Sequence, residues 1–113
     1  MKLLEVKEIL SAEVLTGNEN LDTEVLSACG CDLMSDVLAF VKDQALLLTG
    51  LVNPQVVRTA EMMDMKAIVF VRGKTPSQDI INLATEANIV MMKTELPLYF
   101  SCGLLYTNGL FKE

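Results

Sequence analysis

Ala45-Leu-Leu-Leu-Thr49, Ala67-Ile-Val-Phe-Val71 and Ile89-Val-Met-Met92 are short, unbroken apolar runs, and stretches with helical spacing lie between them and after the last. Parallel strands covered on both faces read this way, whereas a strand with one wet face alternates. Linking helices of about a dozen residues suit right-handed crossovers between parallel neighbours. The pattern predicts an α/β domain with a small, mainly parallel sheet and flanking helices.

The remaining elements follow from the same signals. Leu3, Val6, Ile9 and Leu10 recur at three-and-four spacing, which predicts an amphipathic helix over Lys2 to Leu10. A short strand should follow from Glu13 to Thr16, then a reversal at Gly17-Asn18-Glu19-Asn20, residues that tolerate left-handed backbone. Asp22 to Cys31 reads as extended but irregular. Asp32 to Val41 reads as a helix, with Leu33, Val37, Leu38 and Val41 as its apolar positions and Asp32 as its N-cap or first-turn acid.

Two crossover helices announce their starts. Asn53-Pro54 pairs a capping residue with proline at the first helical position, and Val56, Val57, Ala60 and Met63 form the buried face behind it. Thr75-Pro76-Ser77-Gln78 has the spacing of a capping box, followed by Ile80, Ile81, Ala84 and Ala87. Helices are expected near residues 54 to 64 and 77 to 87.

The last segment, Leu96 to Tyr106, is apolar around most of a helical circumference. A helix turns only one stripe toward its own core. One reading buries the segment in a groove of its own domain; the favoured one makes it a homodimer contact anchored by Leu98, Tyr99, Phe100 and Leu105.

Composition narrows the function. The 113 residues suffice for one domain, expected over 1–113, and leave no room for a separate substrate domain. Nine basic residues stand singly against 15 acidic ones, so no footprint for a phosphate backbone exists and nucleic acid is not an expected partner. The chain has no His, which removes the commonest general base and metal ligand. A non-enzymatic binding or regulatory module is therefore expected, with no cofactor. The charged start Met1-Lys-Leu-Leu-Glu-Val-Lys-Glu is not expected to act as a signal peptide or an anchor, and no apolar run reaches the roughly 20 residues of a membrane span. Three cysteines without a secretion signal point to a reduced, cytoplasmic setting.

Polar groups follow the apolar runs at Thr49-Gly50, Arg72-Gly73-Lys74 and Lys93-Thr94, where open α/β sheets hold ligands. A ligand pocket is expected between Asp32, Ser35 and Asp36 on one side and Thr49, Asn53 and Arg72 on the other. Arg72-Gly73-Lys74-Thr75 imitates the end of a phosphate-binding loop but has Ile68 where the first glycine is required, so nucleotide hydrolysis is not expected. Arg72 and Lys74 beside a helix start can still attract an anion. Cys29 and Cys31 point to one face if extended; they read as core packing, with redox sensing as the alternative. Metal binding through them and Cys102 would lack a fourth ligand. The acidic group Asp32, Asp36 and Asp43 is better explained by helix capping than by a cation, and the seven methionines by core filling.

A family resemblance adds to this. Asp22-Thr-Glu-Val25, Asp32-Leu-Met-Ser-Asp-Val37, Leu48-Thr-Gly-Leu-Val-Asn-Pro54, Ala67 to Val71 with Gly73, and the closing Thr94-Glu-Leu-Pro97 and Cys102-Gly-Leu-Leu105 resemble the DRTGG domain family. The name-giving run is not present literally, since Glu24 follows Asp22-Thr23 and Ser27-Ala28 stand where a glycine pair is expected. The resemblance implies a compact fold like the N-terminal domains of HPr kinase/phosphorylase and muramyl ligases, a tendency to dimerise, and a regulatory role attached to metabolic enzymes. The expected function is a module that senses a small anionic ligand, such as a nucleotide, or docks on a metabolic enzyme. The alternative is a thiol-based redox protein acting through Cys29 and Cys31.

Overall fold

The computed structural model describes residues 1–42 and 44–111. In chain order it comprises α1 (Leu3–Leu10), β1 (Glu13–Thr16), a 3₁₀ turn (Asn18–Asn20), β2 (Ser27–Gly30), α2 (Met34–Phe40), β3 (Ala45–Thr49), α3 (Pro54–Met62), β4 (Ala67–Phe70), α4 (Gln78–Glu86), β5 (Val90–Lys93) and α5 (Leu98–Thr107). The five strands form one sheet in the order β1-β5-β4-β3-β2. β2, β3, β4 and β5 are parallel, with Leu47 opposite Cys29 and Ile68, and Met91 opposite Ile68. β1 closes the far edge antiparallel to β5, so the sheet is mixed at one strand.

Successive side chains of a strand point to opposite faces, and this divides the apolar runs into two layers. Ala45, Leu47, Ile68, Phe70 and Met91 face α2, α3 and α4, where they meet Met34, Val56, Val57, Ala60, Ile80 and Ala84. Leu46, Leu48, Ala67, Val69, Val90 and Met92 face α1 and α5, against Leu3, Val6, Leu10 and Leu105. All five residues of β3 are buried, as expected of a strand with helices on both sides.

The local signals mostly hold. Asn53 caps α3 by accepting from the Val56 amide at 3.1 Å, with Pro54 at the first position. Gly17 adopts φ +85°, and a Cβ there would lie 2.8 Å from Val90 Cγ2, so the reversal after β1 is reserved for glycine on two counts.

Four local expectations are corrected. α4 starts at Gln78 with Ser77 as N-cap and no side-chain cap bond; the Thr75 hydroxyl instead accepts from Lys93 Nζ at 3.0 Å, and Gln78 donates to Asn82, so no capping box forms. α2 starts at Met34 with Leu33 as N-cap, which frees Asp32 for the neighbouring loop. The buried positions of α2 are Met34 and Val37, while Leu33 and Leu38 are exposed. The last strand runs one residue later than expected, because Lys93 pairs with Glu13 of β1 and with Phe70 of β4.

Candidate functional site at the carboxyl ends of the parallel strands

Four loops meet where the parallel strands end: those after β2, β3, β4 and β5. Thr49 closes β3 fully buried, and its hydroxyl donates to Asp32 Oδ1 at 3.0 Å. The same oxygen accepts the Gly50 amide at 2.7 Å, and Thr49 Oγ1 in turn accepts from the Leu51 amide at 3.1 Å. Asp32 therefore ties the loop after β2 to the loop after β3. From the next loop, Lys74 Nζ donates to the Gly50 carbonyl at 2.7 Å. Gly50 is thus held through its amide by a carboxylate and through its carbonyl by an ammonium group.

The adjoining loops are pinned by backbone. Arg72 and Gly73 both have positive φ, 58° and 67°, which turns the chain sharply after β4. The Arg72 amide donates to the Leu96 carbonyl at 2.9 Å and the Gly73 amide to the Thr94 carbonyl at 2.8 Å, which fastens this turn to the loop after β5. A Cβ at Gly73 would lie 2.5 Å from Glu95 Oε2, so the bare glycine lets that carboxylate settle over the turn. Three of the nine basic residues, Arg72, Lys74 and Lys93, stand at this end of the molecule. Among the described residues no hydrogen bond or ion pair engages the Arg72 guanidinium, and the side chain is exposed.

Of the six expected pocket residues, the structure joins Asp32 and Thr49 directly. Asn53 commits its side-chain oxygen to the α3 cap. Ser35 and Asp36 lie exposed in the first turn of α2, with no hydrogen bond to Thr49, Asn53 or Arg72 among the described residues. Asp43 of the acidic group lies outside the described residues. The bridging role of Lys74 and the Lys93–Thr75 contact are tertiary, and the only signal for them in the chain is the position of two lysines just after apolar runs.

A cleft of about 270 Å³ lies at the opposite end of the sheet and includes Asn20, Glu61, Asp64, Lys66 and Asn88. It receives the carboxyl ends of α3 and α4, whose partial negative charge adds to Glu61 and Asp64. Lys66 there already faces Asp64 at 3.9 Å. The physics at this end disfavours an anion.

Cys29 and Cys31 both pack on the α2–α3–α4 side, whereas Cys102 packs on the α1–α5 side. Burial, then the neighbouring Cys31, Cys102 and Asp36, pushes the Cys29 thiol up; burial alone pushes Cys102 up. A reactive thiol needs the reverse shift.

The expected dimer anchors divide. Leu105 is 1% exposed and belongs to the chain's own core, so it is corrected from interface to core; Leu98 is partly buried against the same cluster. Tyr99 and Phe100 point outward, 84% and 59% exposed.

A three-layer α/β module with its polar groups gathered at the carboxyl ends of a parallel sheet is the class these features define. The chain belongs to the DRTGG domain family, whose domain model matches residues 5–99. Among solved structures it is similar to the CBS and DRTGG domains of the regulatory region of the Clostridium perfringens pyrophosphatase, complexed with the activator diadenosine tetraphosphate. That similarity has a TM-score of 0.75 at 17% identity, over 99% of this chain and 50% of the other, and it concerns the fold. The chain therefore spans half the length of that structure. No curated protein matches it in sequence. No helix among the described residues is long and apolar enough to cross a membrane.

Proposed function

We propose that this domain is a non-enzymatic regulatory module that senses a small anionic ligand, a nucleotide or nucleotide polyphosphate, at the carboxyl ends of its parallel strands. The observation that carries the reading is the exposed Arg72 guanidinium, unengaged among the described residues, on a turn that also carries Lys74 and is cross-linked to its neighbours through Asp32, Gly50 and Thr94. Cations on a preorganised turn attract phosphate without paying for loop ordering. The start of α4, which has no side-chain cap, adds a favourable partial charge. In this reading Arg72 takes the phosphate. Thr49 and Asp32 fix the floor, and Ser35, Asp36 and the Asn53 amide line the rim as groups for a sugar or base. The activator bound by the Clostridium pyrophosphatase region makes diadenosine tetraphosphate a natural first ligand to try.

The same reading makes the domain a cytoplasmic homodimer that hands its ligand state to a metabolic enzyme. The raised thiol of Cys29, one of the two cysteines on which the redox alternative rests, favours it over that alternative. Titration calorimetry with AMP, ATP and diadenosine tetraphosphate tests it. One of these should bind, and Arg72→Ala should weaken that binding at least tenfold while leaving the fold intact. Heat-silent, shift-free titrations with all three, or binding indifferent to Arg72→Ala, would reject the site.

A further inference from the structure

The sheet order ends at β2, whose outer side faces no other strand. Its inner ladder is regular, with Ser27, Ala28, Cys29 and Gly30 paired in step to β3. The Cys31 amide donates to the Leu48 carbonyl at 3.0 Å, and inward bonding recurs at every second residue, so Cys29 also points inward. Ala28 and Gly30 therefore turn their N–H and C=O groups to the open side, and both residues are exposed. Among the described residues no hydrogen bond reaches them from that side.

The two edges of the sheet differ. β1 has an exposed charge, Glu13, and a break in register between Val14 and Thr16, two devices that keep an edge from recruiting another strand. β2, Ser27-Ala-Cys-Gly30, has no charge, no proline and no break in register. Beside it stand exposed aromatic side chains from both helical layers: Phe40 at the end of α2, and Tyr106 and Phe111 at the end of α5, 61–70% exposed. They wall a groove of about 450 Å³ whose floor includes Ala28. A hollow of about 160 Å³ adjoins it between Gly30, Cys102 and Tyr106, large enough for one aliphatic side chain.

We infer that the β2 edge docks an extended, apolar segment of a partner protein, which joins the sheet as an added strand between the ends of α2 and α5. A row of unpaired main-chain groups is matched by another extended main chain. An added strand alternates its side chains between the two faces, and both faces are apolar here, so the segment is apolar at successive positions, as β3 is. Charge is complementary to such a segment: among the described residues that line the groove Lys42 is the one charged group, in a chain with 15 acidic and nine basic residues, so an acidic residue of the segment belongs at that end. A second copy of this chain is a poor occupant, because its β2 brings only Ser, Ala, Cys and Gly side chains to the groove. Arg72 lines neither hollow, so this surface stands or falls independently of the anion site.

NMR amide exchange and chemical shifts on the full chain, with the probe peptide acetyl-Glu-Val-Ile-Val-Ile-Gly-amide, test the edge. In the free protein the Ala28 and Gly30 amides should exchange fast while Cys29 and Cys31 are protected; peptide at or below about 1 mM should shift the first two and slow their exchange. Two N-methylated forms of the peptide separate strand pairing from greasy contact. Methylating one alternate set of amides should weaken binding at least tenfold, and methylating the other set far less, because only one set faces β2. Ala28→Pro, which removes an outward donor and spares the inner ladder, should weaken binding as much while the thermal melt stays cooperative. Should that variant fail to fold, the methylated pair decides. Unmoved Ala28 and Gly30 amides at about 1 mM peptide, or equal affinity for the two methylated forms, would overturn the inference. So would protection of these amides in dilute free protein, which would mean that the chain covers its own edge, or protection that grows with protein concentration alone, which would give the edge to a second copy.

Discussion

Asp32 Oδ1 lies 2.7 Å from the Gly50 amide, although 17 residues separate the two in the chain and both sit in loops. With the Thr49 hydroxyl on the same oxygen, this carboxylate splices the ends of β2 and β3. Asp32→Ala should therefore cost about 1–2 kcal/mol, the scale of charge-assisted bonds at a partly exposed site, read as a lower urea midpoint with an unchanged slope. Asp32→Asn, which keeps the acceptor oxygen, should recover part of that loss. A neutral Asp32→Ala would mean that the loops hold each other without it.

The Asn53 cap predicts a smaller, local effect. Asn53→Ala removes the acceptor for the Val56 amide and should destabilise the fold by about 1 kcal/mol, whereas Asn53→Asp should leave it nearly unchanged. Hydrogen exchange at the first turn of α3 should report the loss directly.

Ser101 offers the opposite sign. Its hydroxyl is fully buried in α5 and finds no hydrogen-bond partner among the described residues. Ser101→Ala deletes that unpaired group and improves helix propensity, so it should stabilise the protein by about 0.5–2 kcal/mol in denaturant unfolding. A destabilised variant would reveal a partner for the hydroxyl.

The thiols give a pH prediction. Burial raises Cys29 and Cys102, so at any pH from 7 to 9 less of each is thiolate than in a free cysteine of ordinary pKa, about 8.5. Iodoacetamide should modify both more slowly than it modifies a cysteine peptide at the same pH, and the rates should climb at a higher pH than the peptide's. Because the folded-state pKa is the higher one, these thiols contribute stability that is complete below the unfolded thiol pKa and is lost as pH rises through the folded value. Faster labelling than the peptide would revive the redox reading.

The apolar runs by themselves determined the three central parallel strands and their crossovers, but not the edge strand β2 or the antiparallel β1. Uninterrupted sequences such as Ala45 to Leu48 are tolerated only where both faces of a strand are covered, and the spacers between them are long enough only for crossover helices. Asn53-Pro54 likewise specified its own helix start, since capping joins neighbours in the chain. Asp32 and Thr75 look the same in sequence as Asn53 does, each a polar residue ahead of a helix, yet neither caps. Long-range partners outbid the local amides: Thr49 and Gly50 hold Asp32, and Lys93 holds Thr75. The site at the strand ends is made of contacts between loops 17 to 24 residues apart, and sequence periodicity carries no information about which lysine reaches which carbonyl. Leu105 and Tyr106 are adjacent apolar residues of one helix; only the placement of α5 against β3 decided that the first is core and the second is surface.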